Sequence, residues 1–125
     1  MTYVYTKTSD LIWQDKQHQV LFKLIDEITT RNAGQDVFPR LRDYAENHFV
    51  MEEEYMERLS FPGMKAHIRA HNRFREELET MAQNAYSYDD SFRRVLSEFL
   101  TEWLQRHVLG IDKELEAFIL QSGSK

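Results

Sequence analysis

The chain of 125 residues carries five histidines, and they fall into four short patterns: His18 alone, His48 with Glu52, His67 with His71, and His107 followed by Asp112. Residues four apart share one face of a helix and can grip the same ion. Seven such donors spread over four segments read as a two-metal site inside a helical bundle. Neutral imidazole and carboxylate together suit iron, zinc or manganese, and the absence of cysteine argues against copper(I) and iron–sulfur clusters. Two carboxylates are enough to bridge metals about 3.5 to 4 Å apart. With five neutral donors against two anionic ones, the metal pair would be electron-poor beside the carboxylate-rich di-iron sites of ferritin-like bundles, and less suited to O–O cleavage.

Four amphipathic helices must position these donors. Ser9-Asp10 is expected to cap a first helix reaching about Thr30, with Leu11, His18, Leu21, Phe22, Ile25 and Ile28 on its inner stripe and Asn32-Ala-Gly34 as its breaker. Asp36 is expected to cap a second, striped by Phe38, Leu41, Ala45, His48, Glu52, Tyr55, Met56 and Leu59, which Phe61-Pro62-Gly63 stops. The third places Met64, His67, His71, Phe74, Leu78, Met81 and Ala85 on one side until Tyr86-Ser-Tyr-Asp-Asp90 turns the chain. The fourth carries Phe92, Leu96, Phe99, Leu100, Trp103, Leu104 and His107. Inner residues stepping by threes and fours predict an all-α, up-down-up-down antiparallel four-helix bundle.

Asp112 is awkward, because five residues beyond His107 it lies about 140° off that face of a straight α-helix. Gly110 is therefore expected to end the fourth helix and let Asp112 swing back, leaving a short terminal helix from Lys113 to Leu120 that packs Leu115, Phe118 and Ile119.

Length and composition agree with one domain over residues 1–125, with an arm at 1–9 and a flexible tail at 121–125. A formal charge of −5 offers no basic face for a phosphate backbone, so no nucleic-acid partner is expected. Neither a signal peptide nor an apolar run long enough for a membrane span stands out, and a cytoplasmic protein without a membrane partner is expected.

Gln17-His18 with Leu21-Phe22, His48-Phe49-x-x-Glu52-Glu53, Phe61-Pro62-Gly63-x-x-x-His67-x-x-x-His71-x-x-Phe74 and Trp103-Leu104-x-x-His107-x-x-x-x-Asp112 together make the chain resemble the bacterial hemerythrin-like domains over about residues 10 to 120. That resemblance implies two iron ions joined by an oxo or hydroxo bridge. His67, His71 and His107 would bind one and His18 and His48 the other, while Glu52 and Asp112 bridge both. It also implies reversible O2 binding at an open position on the two-histidine iron, beside an apolar pocket expected from Phe49, Trp103, Leu104 and Val108. The expected role is oxygen carriage, storage or delivery, and not that of an enzyme. An oxygenase would be the partner of the delivery role; alternatives are an O2 or redox sensor acting on a signalling protein, or reduction of peroxide or nitric oxide.

A lone histidine on an apolar face is usually a hydrogen-bonded core residue, but five on the inner stripes of successive helices would be expensive to bury without a shared partner. Glu53, Glu54 and Glu57 are expected to be solvated. Met51, Met56, Met64 and Met81 are expected to fill the core, and Tyr3, Tyr5, Tyr86 and Tyr88 to pack the bundle ends. Trp13, beside Leu11-Ile12 where bacterial relatives often carry glycine and small residues, is expected to reshape the entrance to the site.

Overall fold

The structure, a computed structural model, describes residues 7–30, 36–84 and 89–123. The Asn32-Ala-Gly34 breaker, the Tyr86–Tyr88 turn, and Tyr3 and Tyr5 lie outside them. Four long helices account for most of the described chain: α1 (Ile12–Thr29), α2 (Val37–Arg58), α3 (Met64–Gln83) and α4 (Asp90–Trp103), followed by a π-helical segment (Leu104–Ile111) and α5 (Asp112–Ser122). α1 packs on α2 and α4, and α2 on α3, so the expected all-helical bundle is what forms. No helix among the described residues is long and apolar enough to cross a membrane.

The helix starts differ from expectation. The N-cap of α1 is Leu11, without a side-chain cap bond. Ser9 Oγ instead accepts the Leu11 N–H at 3.0 Å and donates to Gln14 Oε1 at 2.7 Å. The Asp10 N–H donates to Glu116 Oε2 of α5 at 2.9 Å, so the entering chain is tied sideways to the last helix. Asp36 stands at the N-cap of α2 but makes no cap bond with its side chain. Asp89 does cap α4, accepting the Phe92 N–H at 2.9 Å.

The largest correction concerns Asp112. Gly110 does not end the fourth helix: the chain stays helical from Asp90 to Ser122 and simply widens over Leu104–Ile111. A π turn closes bonds between residues five apart, which stacks residue 112 over residue 107 and cancels the angular error of a regular α-helix. Gly123, at φ 77°, supplies the left-handed stop. α5 therefore absorbs Gln121 and Ser122 from the expected tail.

Two apolar clusters flank a polar layer. The larger gathers Leu21, Leu24 and Ile28 of α1, Leu41, Tyr44 and Phe49 of α2, Phe74 and Leu78 of α3, Leu96 and Leu100 of α4, and Val108 of the π segment. The smaller holds Leu11, Met56, Leu115 and Ile119, with Trp13, Tyr55 and Met64 against it. Each fully buried Leu or Phe contributes about 1.5–3 kcal/mol, and this apolar gain offsets the desolvation of the layer between. Met56, Met64 and Met81 pack in these clusters as expected.

Candidate metal centre

The polar layer is where all seven expected donors meet. α1 contributes His18, α2 contributes His48 and Glu52, α3 contributes His67 and His71, the π segment contributes His107, and α5 begins with Asp112. None is more than 1% exposed. They form two overlapping groups, Glu52, His67, His71, His107 and Asp112, and His18, His48, Glu52 and Asp112, each with its donor atoms within 4.8 Å of one another. Both carboxylates belong to both groups, as bridging ligands would.

The two carboxylates are used differently. Asp112 turns Oδ2 toward His18 Nε2 at 2.8 Å and His48 Nε2 at 3.1 Å, and Oδ1 toward His67 Nε2 at 3.1 Å and His107 Nε2 at 3.0 Å. Glu52 offers one atom to both sides: Oε1 lies 3.2 Å from His48 and His67, 3.1 Å from His71 and 4.0 Å from His107.

Hydrogen bonds on the outer edges of three of the rings fix their tautomers. Thr8 Oγ donates its proton to Asp15 Oδ1 at 2.9 Å and so accepts from His18 Nδ1 at 2.8 Å. Gln17 Oε1 accepts from His48 Nδ1 at 2.7 Å, and Glu53 Oε2 from His71 Nδ1 at 2.8 Å. With the proton on Nδ1, a neutral ring points the Nε2 lone pair at the carboxylates. Lone pairs facing each other across some 3 Å repel, and a cation between them removes the repulsion. The alternative, protonating every ring, would crowd five positive charges against two negative ones in a buried layer. His107 Nε2 and Asp112 Oδ1 show the same thing from the other side: although 3.0 Å apart, neither has a hydrogen-bond partner among the described residues. The donor set therefore fits metal ions.

The family model described as "Hemerythrin HHE cation binding domain" matches residues 11–119. The chain belongs to the hemerythrin family. Relatives include a bacteriohemerythrin of Clostridium acetobutylicum, 24% identical over 80% of this chain and 86% of the relative. A bacteriohemerythrin of Stenotrophomonas maltophilia is 29% identical over 82% of this chain and 77% of its own. A myohemerythrin of Riftia pachyptila is 29% identical over 78% and 76% respectively.

Charge in this hemerythrin's layer is strongly redistributed. Burial alone would lower His67, but the carboxylates of Asp112 and Glu52, at 3.1 and 3.2 Å from its Nε2, push it up to about 9. His48 is likewise raised, burial being overridden by the charges of Glu52 and Asp112, whereas burial holds His71 below its ordinary value. Asp112 is held well below the usual carboxylate range: the charges of His107 and His48 outweigh its burial. Glu52 is lowered too, against both its burial and the charge of Asp112, by His48, His107 and His67.

Aromatic rings wall the centre. Trp103 lies flat on His107 (4.0 Å, 9°), Phe49 flat on His71 (3.9 Å, 10°) and Tyr44 over His48 (5.6 Å, 13°). Two of the residues expected in an O2 pocket, Phe49 and Trp103, thus stack on the three-histidine side. Val108 is fully buried in the larger cluster, with Leu104 packed against it. A surface cavity of about 380 Å³, lined in part by Arg73, Phe99, Trp103 and Ile111, reaches His107.

Sequence reasoning missed the residues behind the donors. Glu53, expected in solvent, is 25% exposed and takes hydrogen bonds from His71 and from Arg75 at 3.3 Å. Gln14 and Asp15 are buried, and Gln14 Nε2 donates to Glu52 Oε2 at 2.8 Å. Gln14 stands four residues before His18, a spacing that could have revealed it. Trp13 stacks on Tyr55 (4.9 Å, 8°) in the smaller cluster.

Proposed function

We propose that this hemerythrin holds two iron ions among its seven donors and binds O2 reversibly, as a carrier, store or delivery protein and not as an enzyme. The observation that carries this reading is the sharing of both carboxylates between a five-donor and a four-donor group. His67, His71 and His107 would serve one ion, His18 and His48 the other, and Glu52 and Asp112 both. The group with fewer protein donors is the one left able to take an added ligand. When bound, the iron pair supplies the electrons that hold O2 and recovers them on release.

The chain's own residues do the rest. Thr8, Gln17 and Glu53 keep three rings with Nε2 turned inward, so the donors are set before metal arrives. Tyr44, Phe49 and Val108, all nearly or fully buried, exclude the water and protons that would turn reversible binding into oxidation. The names of the relatives support the same reading. A second reading, O2 or redox sensing, draws on Thr8, whose hydroxyl ties the segment before α1 directly to His18.

The test is to load the chain with Fe(II) under anaerobic conditions, admit O2, and then purge with argon while following the visible spectrum. A charge-transfer band that rises with O2 and falls on purging is expected. Irreversible conversion to a ferric spectrum would refute reversible binding and favour redox sensing, and the absence of any band would refute the iron assignment.

A further inference from the structure

Three of the five rings in the layer have an acceptor behind Nδ1, and the acceptors are not alike. His18 has the Thr8 hydroxyl and His48 the Gln17 amide oxygen, both neutral, whereas His71 has the Glu53 carboxylate at 2.8 Å. Nδ1 of His67 and of His107 has no hydrogen-bond partner among the described residues. A hydrogen bond to an ionised acceptor is roughly twice as strong as a neutral one. A strong acceptor behind a metal-bound ring in turn makes that ring a stronger donor. His71 is therefore the ring that its surroundings would set apart.

The same oxygen has a second claimant. Arg75, one turn beyond His71 on α3, places Nη1 3.3 Å from Glu53 Oε2. Its other contacts hold it there: Nη1 donates to Asn72 Oδ1 at 2.8 Å and Nε to Glu46 Oε1 at 3.0 Å. The guanidinium carbon also lies 4.9 Å from the centroid of Phe49, the ring stacked on His71. Glu46, Phe49 and Glu53 follow one another by threes and fours on α2, so one stripe of that helix receives the guanidinium. Arg75 is 27% exposed and Glu53 25%, which leaves the pair only partly screened by solvent. An oxygen that also faces a cation has less charge to offer the Nδ1 proton of His71.

We propose that Arg75 is a positioning residue for the metal centre: by sharing Glu53 Oε2 it weakens the hydrogen bond behind His71 and so limits how strongly that ring donates to its ion. The proposal rests on the two-iron reading above. Weaker donation favours the lower oxidation state, from which the electrons that hold O2 are drawn. Glu46 sets the degree, because it competes with Glu53 for the same guanidinium.

Proton NMR of the full chain loaded with zinc(II) tests this, since zinc is diamagnetic and leaves the Nδ1–H signals sharp. The His71 signal is the one that Glu53→Gln moves. Arg75→Met, which keeps an unbranched stem, is expected to shift it downfield as the bond to Glu53 strengthens, with the His18 and His48 signals unmoved. Glu46→Gln is expected to shift it upfield, because Glu53 is then the carboxylate left to the guanidinium. The control is Arg42→Met, which removes an arginine paired with Glu79 across the same two helices and should leave the signal in place. In the iron-loaded chain the reduction potential should fall in Arg75→Met and rise in Glu46→Gln. A His71 signal that stays or moves the other way in either variant, an equal shift with Arg42→Met, or potentials that do not follow the shifts, overturns the proposal. If Arg75→Met does not fold, Glu46→Gln decides alone by the sign of its shift. Fewer than two ions bound per parent chain would instead refute the site reading on which the proposal stands.

Discussion

Replacing Glu53 by alanine leaves every donor in place and removes the acceptor behind His71, the 2.8 Å contact to Nδ1. A hydrogen bond to a charged group contributes about 1.5–3 kcal/mol, and loss of such a partner behind a metal-bound histidine lowers metal affinity about 10- to 100-fold. Glu53 is 25% exposed and shares its oxygen with Arg75 at 3.3 Å, so solvent and the guanidinium already draw on it. The lower end, about tenfold or 1.4 kcal/mol, is expected for Glu53→Ala. Glu53→Gln, which keeps an acceptor oxygen without the charge, should fall between that variant and the parent. The assay is anaerobic competition for Fe(II) against a chelator of known affinity, with Glu54→Ala, the exposed next residue, as the control for a lost surface charge. Equal affinities for Glu53→Ala and Glu54→Ala would refute the argument that Glu53 orients His71.

Leu104→Asn brings a polar group into the partly buried apolar wall beside Val108; decay of the O2-bound spectrum should quicken several-fold, and an unchanged rate would remove Leu104 from the wall. Phe49→Ala empties a fully buried site between His71, Phe74 and Trp103. A loss of about 3–5 kcal/mol is expected from denaturant melts of the metal-free chain, and a loss below about 1 kcal/mol would mean that the site collapses freely. Because His67 is raised from 6.5 to about 9, its partners stabilise the metal-free fold below pH 6.5 and that stabilisation drains away as pH climbs to about 9. Metal must displace the same proton, so at pH 7 iron uptake should release protons in a pH-stat and affinity should rise with pH until about 9; uptake without proton release would contradict this.

The fold and the donors were legible because both depend on spacing. His48 and Glu52, and His67 and His71, stand four apart on regular α-helices, where sequence distance converts directly into direction. Asp112 was legible as a donor but not in its geometry, since the pattern shows that the helix must deviate without showing whether it breaks at Gly110 or widens. The residues behind the rings were harder. Thr8 reaches His18 from outside the helix, and Glu53 reaches His71 from a neighbouring helix; neither partner is set by local periodicity. Gln14 was hidden for another reason. The apolar stripe of α1 skips the turn between Leu11 and His18, and a polar residue there looks like surface until the carboxylate facing it is known.

The polar layer divides the apolar interior into two clusters that lie on either side of it. Between them stand rings and carboxylates drawn from α1, α2, α3, the π segment and α5. Ions in that layer would act as a weld, linking four helices and two separate hydrophobic nuclei into one cooperative unit. The loaded chain should therefore melt in a single sharp transition. Stripped of metal, the same chain should lose that unity and soften first around the smaller cluster, where Leu11, Met56, Leu115 and Ile119 make up the lesser share of the buried apolar surface.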